Sequence, residues 1–141
     1  METSNVLHPA TDDLGKLLLR VLLAILLLFH GVSKLIGGIA FVSGMLEKLG
    51  IPHVVAYGVY VGEVIAPLLM LVGLFTRAAA LVVVINMIVA LMLVHTKQFF
   101  TLNETGGWAL ELQGMYLGAA VAVALLGAGR YSLGGAAGRF N

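Results

Sequence analysis

Four apolar runs, each close to the length of a membrane span, dominate this 141-residue chain and restrict its fold more than any other feature. They cover about 14–36, 53–75, 77–95 and 108–127. A helix needs ~20 residues to cross ~30 Å of hydrocarbon. In lipid every backbone polar group must be paired within the protein, which leaves helices or closed barrels. Uninterrupted runs of this length exclude the short alternating strands of a barrel. The expected fold is therefore an all-α, integral membrane four-helix bundle with up-down connectivity, in a single domain over residues 1–141. Composition agrees. Hydrophobic residues make up 60% and charged residues 11%, against roughly a quarter charged in a soluble domain.

The segments between the runs differ in kind. "GLFTRAAA" leaves almost no loop between the second and third runs, which predicts a tight hairpin. Residues 37–52, "GGIAFVSGMLEKLGIP", predict a short amphipathic interfacial helix. On it Phe41, Met45, Leu46 and Leu49 share one face and Glu47 and Lys48 the other. Residues 96–107 form a polar loop bearing Phe99 and Phe100. Residues 1–13 carry Pro9 and read as a flexible tail. The first run has the basic start of a signal peptide. Its length and the acidic residues before it favour a retained span.

Lys16, Arg20, Arg77, Arg130 and Arg139 would share one side of the membrane, and Lys34, Lys48 and Lys97 the other. The positive-inside rule then places both termini in the cytoplasm of a bacterial inner membrane. A net charge of +1 offers no basic stripe, so no nucleic-acid partner is expected. There is no cysteine, which removes disulfides, thiolate metal sites, iron–sulfur clusters and covalent haem attachment. No metal site is expected. The partners expected are the lipid bilayer and either a redox partner protein or further copies of the chain.

The polar residues within the spans carry the functional signal. Glu63 falls within ~2 Å of the middle of its span, and Asn86 is also central. His30 lies ~7 Å and Lys34 ~13 Å outward of the centre of theirs. Glu111 and Gln113 stand ~7–10 Å outward in the last. A lone ionised carboxylate at mid-membrane costs at least ~2.5 kcal/mol, so Glu63 needs a proton or a cationic partner. His30 and Lys34, spaced i and i+4, share a helix face and are the best candidates. Pro67 cannot donate to residue 63, so it frees the Glu63 carbonyl. Gly58 with Gly62, Gly114 with Gly118, and Ala79 with Ala90 mark small-residue stripes for close helix approach.

The plainer readings are these. Lys34, Lys97, Arg77 and Arg130 mark span ends as anchors, and Arg20 snorkels to the cytoplasmic surface. Asn86 acts as interhelical glue. Trp108, Tyr116 and Tyr131 are interface or packing aromatics. His95 points away from Asn86 and stands apart from the cluster. His30 and His95 differ in depth by ~6 Å, which disfavours haem ligation between them.

Four motifs in order, "FHGVSKL", "GEVIAPLLMLVGLFTRAAA", "GGWALEL" and "GAGRYSL", resemble the DoxX family from Lys16 to Leu133. The resemblance implies a small four-helix bacterial inner-membrane protein. It also implies a link to quinone chemistry, since members are associated with a terminal quinol oxidase and a related branch with thiosulfate:quinone oxidoreductase. Other members are associated with membrane oxidoreductase assemblies that resist oxidative stress. Arg20, Gly31, Lys34, Glu63, Gly73, Arg77 and Glu111 match the family pattern.

Three functions follow as expectations. The first is a quinone-linked oxidoreductase subunit with a polar pocket open to the outer leaflet. Glu63, His30 and Lys34 would do its chemistry, and His30, Lys34, Glu63, Asn86, Glu111 and Gln113 would hold a quinone. The second is a non-catalytic scaffold of a larger complex. The third is a small proton-coupled transporter. All three need ionisable groups gathered away from lipid.

Overall fold

A computed structural model describes residues 9–141. Within them the chain is all-helical, with five helices and no strand. Helix α1 spans Pro9–Gly37, α2 Ala40–Lys48, α3 His53–Val72, α4 Thr76–Val94 and α5 Glu111–Leu126. α1, α3 and α4 are long and apolar enough to cross a membrane. α5 is apolar but has 16 residues, reaching ~24 Å.

Two boundaries depart from expectation. The expected flexible tail reached residue 13, and residues 1–8 of it lie outside the described residues. Residues 9–13 are already helical. Proline is tolerated in a first helical turn, where its missing N–H has no partner to lose. Lys16 pairs with Asp12 one turn earlier at 2.6 Å, and Asp13 is buried, accepting the Arg130 backbone N–H at 3.1 Å. The last helix opens at Glu111 instead of Trp108. Trp108 is held in the preceding loop by an antiparallel bridge to Leu102, and its indole donates to the Phe99 carbonyl at 2.9 Å.

α3 is the irregular element. It starts as a tight 3₁₀ turn at His53–Tyr57 and widens to a π turn at Val61–Ile65 before closing as a regular α-helix. The widening has a local cause. Pro67 has no N–H for the Glu63 carbonyl, and the Ala66 N–H reaches back five residues to Val61. α3 stops at Gly73, whose left-handed φ of +75° allows the Gly73 and Leu74 N–H groups both to bond Leu69 O. A side chain at Gly73 would also run into Ser132.

The core lies between α1, α3, α4 and α5. Leu23, Ala24 and Leu27 of α1 pack with Ala66 and Met70, Ala79, Ala80 and Val83, and Ala120 and Val123. The many alanines let the helix backbones come close, as membrane interfaces require. The outward faces stay apolar: Leu18, Leu22, Phe29, Leu81, Ile85 and Leu125 are all exposed. In water such a surface would aggregate, and in a bilayer it is the lipid-facing side.

One end of the helices is closed by two arginines. Arg20 does not snorkel to the surface as expected; it is 1% exposed. Its guanidinium donates to the carbonyls of Met70 at 2.6 Å, Leu71 at 2.9 Å, Ala128 at 3.2 Å and Tyr131. Two of these are last-turn carbonyls of α3, which carry the negative end of the helix dipole. Arg77 does the same for α5 through Ala124 and Leu125, and also donates to Asn141 O. Asn141 in turn caps the start of α4, its side-chain oxygen accepting from Thr76 Oγ1 at 2.9 Å and Thr76 N at 3.3 Å. Residues 127–141 are therefore strapped across the helix ends by polar bonds.

Arg20→Met should lower stability by ~2–4 kcal/mol, because it strands four carbonyls in a buried site. Leu18→Met, on the exposed face of the same helix, should stay within ~0.5 kcal/mol. Thermal unfolding of the detergent-solubilised variants is the measurement.

Candidate functional site

The other end of the helices is open inside. A cavity of about 610 Å³ lies between all five helices, with walls that are mostly apolar. α2 contributes Phe41, Val42, Met45 and Leu46 to those walls. The amphipathic helix expected over 37–52 thus lays its apolar face on the cavity, with Glu47 and Lys48 exposed. Leu49, expected on that apolar face, lies beyond the helix and is exposed.

Backbone contacts place the polar groups. A side chain at Gly31 would collide with the Glu63 carbonyl, the one freed by Pro67. A side chain at Gly62 would overlap Asn86, 2.5 Å from its Cγ. These glycines bring α1, α3 and α4 together at one level. The residues beside them then meet. Lys34 Nζ lies 2.5 Å from Glu63 Oε2, and Asn86 Nδ2 donates to Glu63 Oε1 at 3.5 Å. The Glu63 side chain is 11% exposed and that of Lys34 29%. Tyr60 OH donates to the Lys34 carbonyl at 3.1 Å and holds the last turn of α1.

His30 joins differently. It lines the cavity, but its ring meets Tyr116 edge to face, with centroids 5.9 Å apart. Gln113 lines the cavity one turn from Tyr116. Its amide nitrogen lies 3.5 Å from His95 Nε2, and the His95 Nδ1 is 2.7 Å from Gln98 Oε1. His95 therefore belongs to the cavity, contrary to the expectation that it stands apart. It follows the last residue of α4, with φ −113°, so the regular helical angle does not apply to it. Glu111 is the residue that does not join. It is exposed at the start of α5 and accepts from Asn103 Nδ2 at 3.3 Å. Among the described residues no cluster of His, Asp and Glu has the make-up of a metal site.

Of the residues expected in the pocket, His30, Lys34, Glu63, Asn86 and Gln113 line the same cavity and Glu111 does not. Sequence reasoning missed Tyr116, which sits three residues after Gln113 on the same face, a spacing that could have flagged it. α2, read from the sequence as an interfacial helix, also forms part of the cavity wall.

An all-helical chain with three helices long and apolar enough to cross a membrane, and a shielded carboxylate–ammonium pair beside an apolar chamber, has the make-up of an integral membrane protein. The comparisons name the family. The DoxX family profile matches residues 15–96. A Bacillus subtilis (strain 168) protein named "Putative oxidoreductase CatD" is 31% identical over 108 residues, covering 74% of this chain and 78% of that protein. The chain belongs to the DoxX family, a family of membrane proteins. No solved structure matches it significantly.

The ion pair can be tested directly. Lys34→Met and Glu63→Gln each leave a polar partner unmatched and should destabilise by roughly 1–3 kcal/mol. The double variant should lose at least ~1 kcal/mol less than the sum of the two. A thermal-unfolding cycle in one detergent reads the coupling.

Proposed function

We propose that this protein is an up-down four-helix protein of the bacterial inner membrane that binds a quinone-class ring in its cavity, as a quinone-linked part of an oxidoreductase. The observation that supports this reading is the cavity itself. It is roomy and mostly apolar, and a few polar groups converge on it, which is the usual make-up of a site for a small ligand. Its apolar walls suit a lipid-soluble ring and tail. Lys34 and Asn86 are donors for one ring oxygen, Glu63 is an acceptor beside them, and His30 and Tyr116 offer aromatic edges. The relative from Bacillus subtilis bears an oxidoreductase name, which favours redox chemistry over a purely structural role.

Reducing a quinone to a quinol takes two electrons and two protons. The chain has no cysteine with which to hold a cluster, so in this reading electrons come from a partner protein or directly from a reduced substrate. Protons enter through ionisable groups on the pocket side, where Glu63 is the deepest.

In lipid nanodiscs the protein should bind decyl-benzoquinone saturably. Asn86→Leu and Glu63→Gln should each weaken that binding about tenfold, the size of one or two lost polar contacts. Leu81→Ala on the lipid-facing side should leave it unchanged. Equal binding by all four proteins would overturn the reading.

The orientation has its own test, since the chain is free of native cysteine. In intact spheroplasts a membrane-impermeant maleimide should label Thr105→Cys, and should reach Ala136→Cys only after lysis. Both positions are exposed, so the difference reports sidedness.

A further inference from the structure

The cavity has a second polar pole. His95 Nδ1 faces the side-chain oxygen of Gln98 at 2.7 Å. An amide oxygen only accepts, so Nδ1 carries the ring proton and Nε2 presents a lone pair. The donor to that lone pair is the Gln113 amide at 3.5 Å, the loose limit of a hydrogen bond. His95 and Gln113 both line the cavity, whereas Gln98 is exposed and acts only on the far side of the imidazole. The chamber thus holds a histidine acceptor of fixed tautomer, weakly occupied by a side chain that a better donor can displace.

The fixed tautomer has a chemical consequence. A ligand hydroxyl can donate to Nε2. A ligand carbonyl meets it lone pair to lone pair, unless the proton moves across the ring and the bond to Gln98 is lost. The deep pole makes no such distinction. There Lys34 and Asn86 donate while Glu63 accepts, so a hydroxyl or a carbonyl oxygen can be held. His95 follows the last residue of α4, nine residues beyond Asn86, so the two poles lie at different levels of the same cavity.

We infer that His95, held in its tautomer by Gln98, is the specificity-determining residue of the cavity and selects the hydroxyl form of the ring, the quinol, over the dicarbonyl form. The inference rests on the quinone-class reading above. If His95 and Gln98 merely finish α4, replacing them changes stability and leaves the ratio of the two affinities alone.

The experiment compares decyl-benzoquinol and decyl-benzoquinone on the intact protein in nanodiscs, under anaerobic conditions. Wild type should bind the quinol about tenfold more tightly, as one neutral hydrogen bond allows. His95→Phe should bring the ratio to about one, chiefly by weakening the quinol. Gln98→Leu frees the tautomer without touching the cavity wall and should also bring the ratio towards one. It serves as the test if His95→Phe fails to fold. A wild-type ratio of one, or a preference that survives either substitution, overturns the inference and leaves the quinone-class reading standing. A wild type that binds neither form overturns both.

Discussion

The site depends on one place where two backbones come close enough to exclude a side chain. At Gly31 the nearest neighbour is the Glu63 carbonyl, left without its helical donor by Pro67, with the Val64 side chain just behind it. A bare Cα is the one group that can lie against that oxygen, and its C–H offers the carbonyl a weak partner. Everything polar nearby takes its position from this contact. His30 adjoins Gly31, and Lys34 lies one turn further on. Glu63 is therefore presented to Lys34, and neither charge would stand alone in lipid. The π turn at Val61–Ile65 adds to this by rotating the start of α3, so that Gly62 meets Asn86 while Glu63 faces α1.

The two ends of the protein use charge in opposite ways. At the end closed by Arg20 and Arg77, each guanidinium is spent on carbonyls of its own fold, and Asn141 uses both its amide oxygen and its nitrogen. Such a cluster ties helix ends together and has little left over for a ligand. At the other end Lys34, Glu63, Asn86, His30, Gln113 and His95 border a cavity, and two of their contacts, Asn86 to Glu63 and Gln113 to His95, are long. A group with unused hydrogen-bonding capacity facing a void is the arrangement that binding sites require and that structural clusters avoid.

Much of this was legible in the sequence, and the reasons differ by residue. Three membrane-length helices followed from run length, since lipid leaves the backbone few options. The Lys34–Glu63 pair followed from the cost of an intramembrane carboxylate and from the i, i+4 placing of His30 and Lys34. The errors came where helical periodicity ends. Glu111 opens α5 and belongs to the loop chemistry of Asn103, although it was counted as an inward-facing residue of a longer helix. His95 was misjudged for the same reason, just past the end of α4. Arg20 was read by depth as a snorkelling side chain. Besides Met70 and Leu71 its partners are Ala128 and Tyr131, in a glycine-rich stretch with no periodicity to reveal that it folds back. Pattern reading sees contacts within an element, and these contacts join a helix to a strap.

The Lys34–Glu63 pair is a poor way to stabilise a protein and a good way to keep a site ready. Bringing both charges out of water offsets most of their attraction, so a pair of apolar residues of similar size would serve stability as well or better. The pair is also not fully buried: the lysine side chain keeps 29% of its surface open, and the cavity lies beside it. An ion pair sealed by packing has nothing further to do. One that borders an apolar chamber offers an entering oxygen a strong donor and a strong acceptor at once, and can yield either without crossing into lipid. α2 is laid across the same chamber, with Phe41 and Met45 in its wall. The charges stand where the close approach at Gly31 brings α1 and α3 together, so the same contact that packs the two helices also sets the pair beside the chamber.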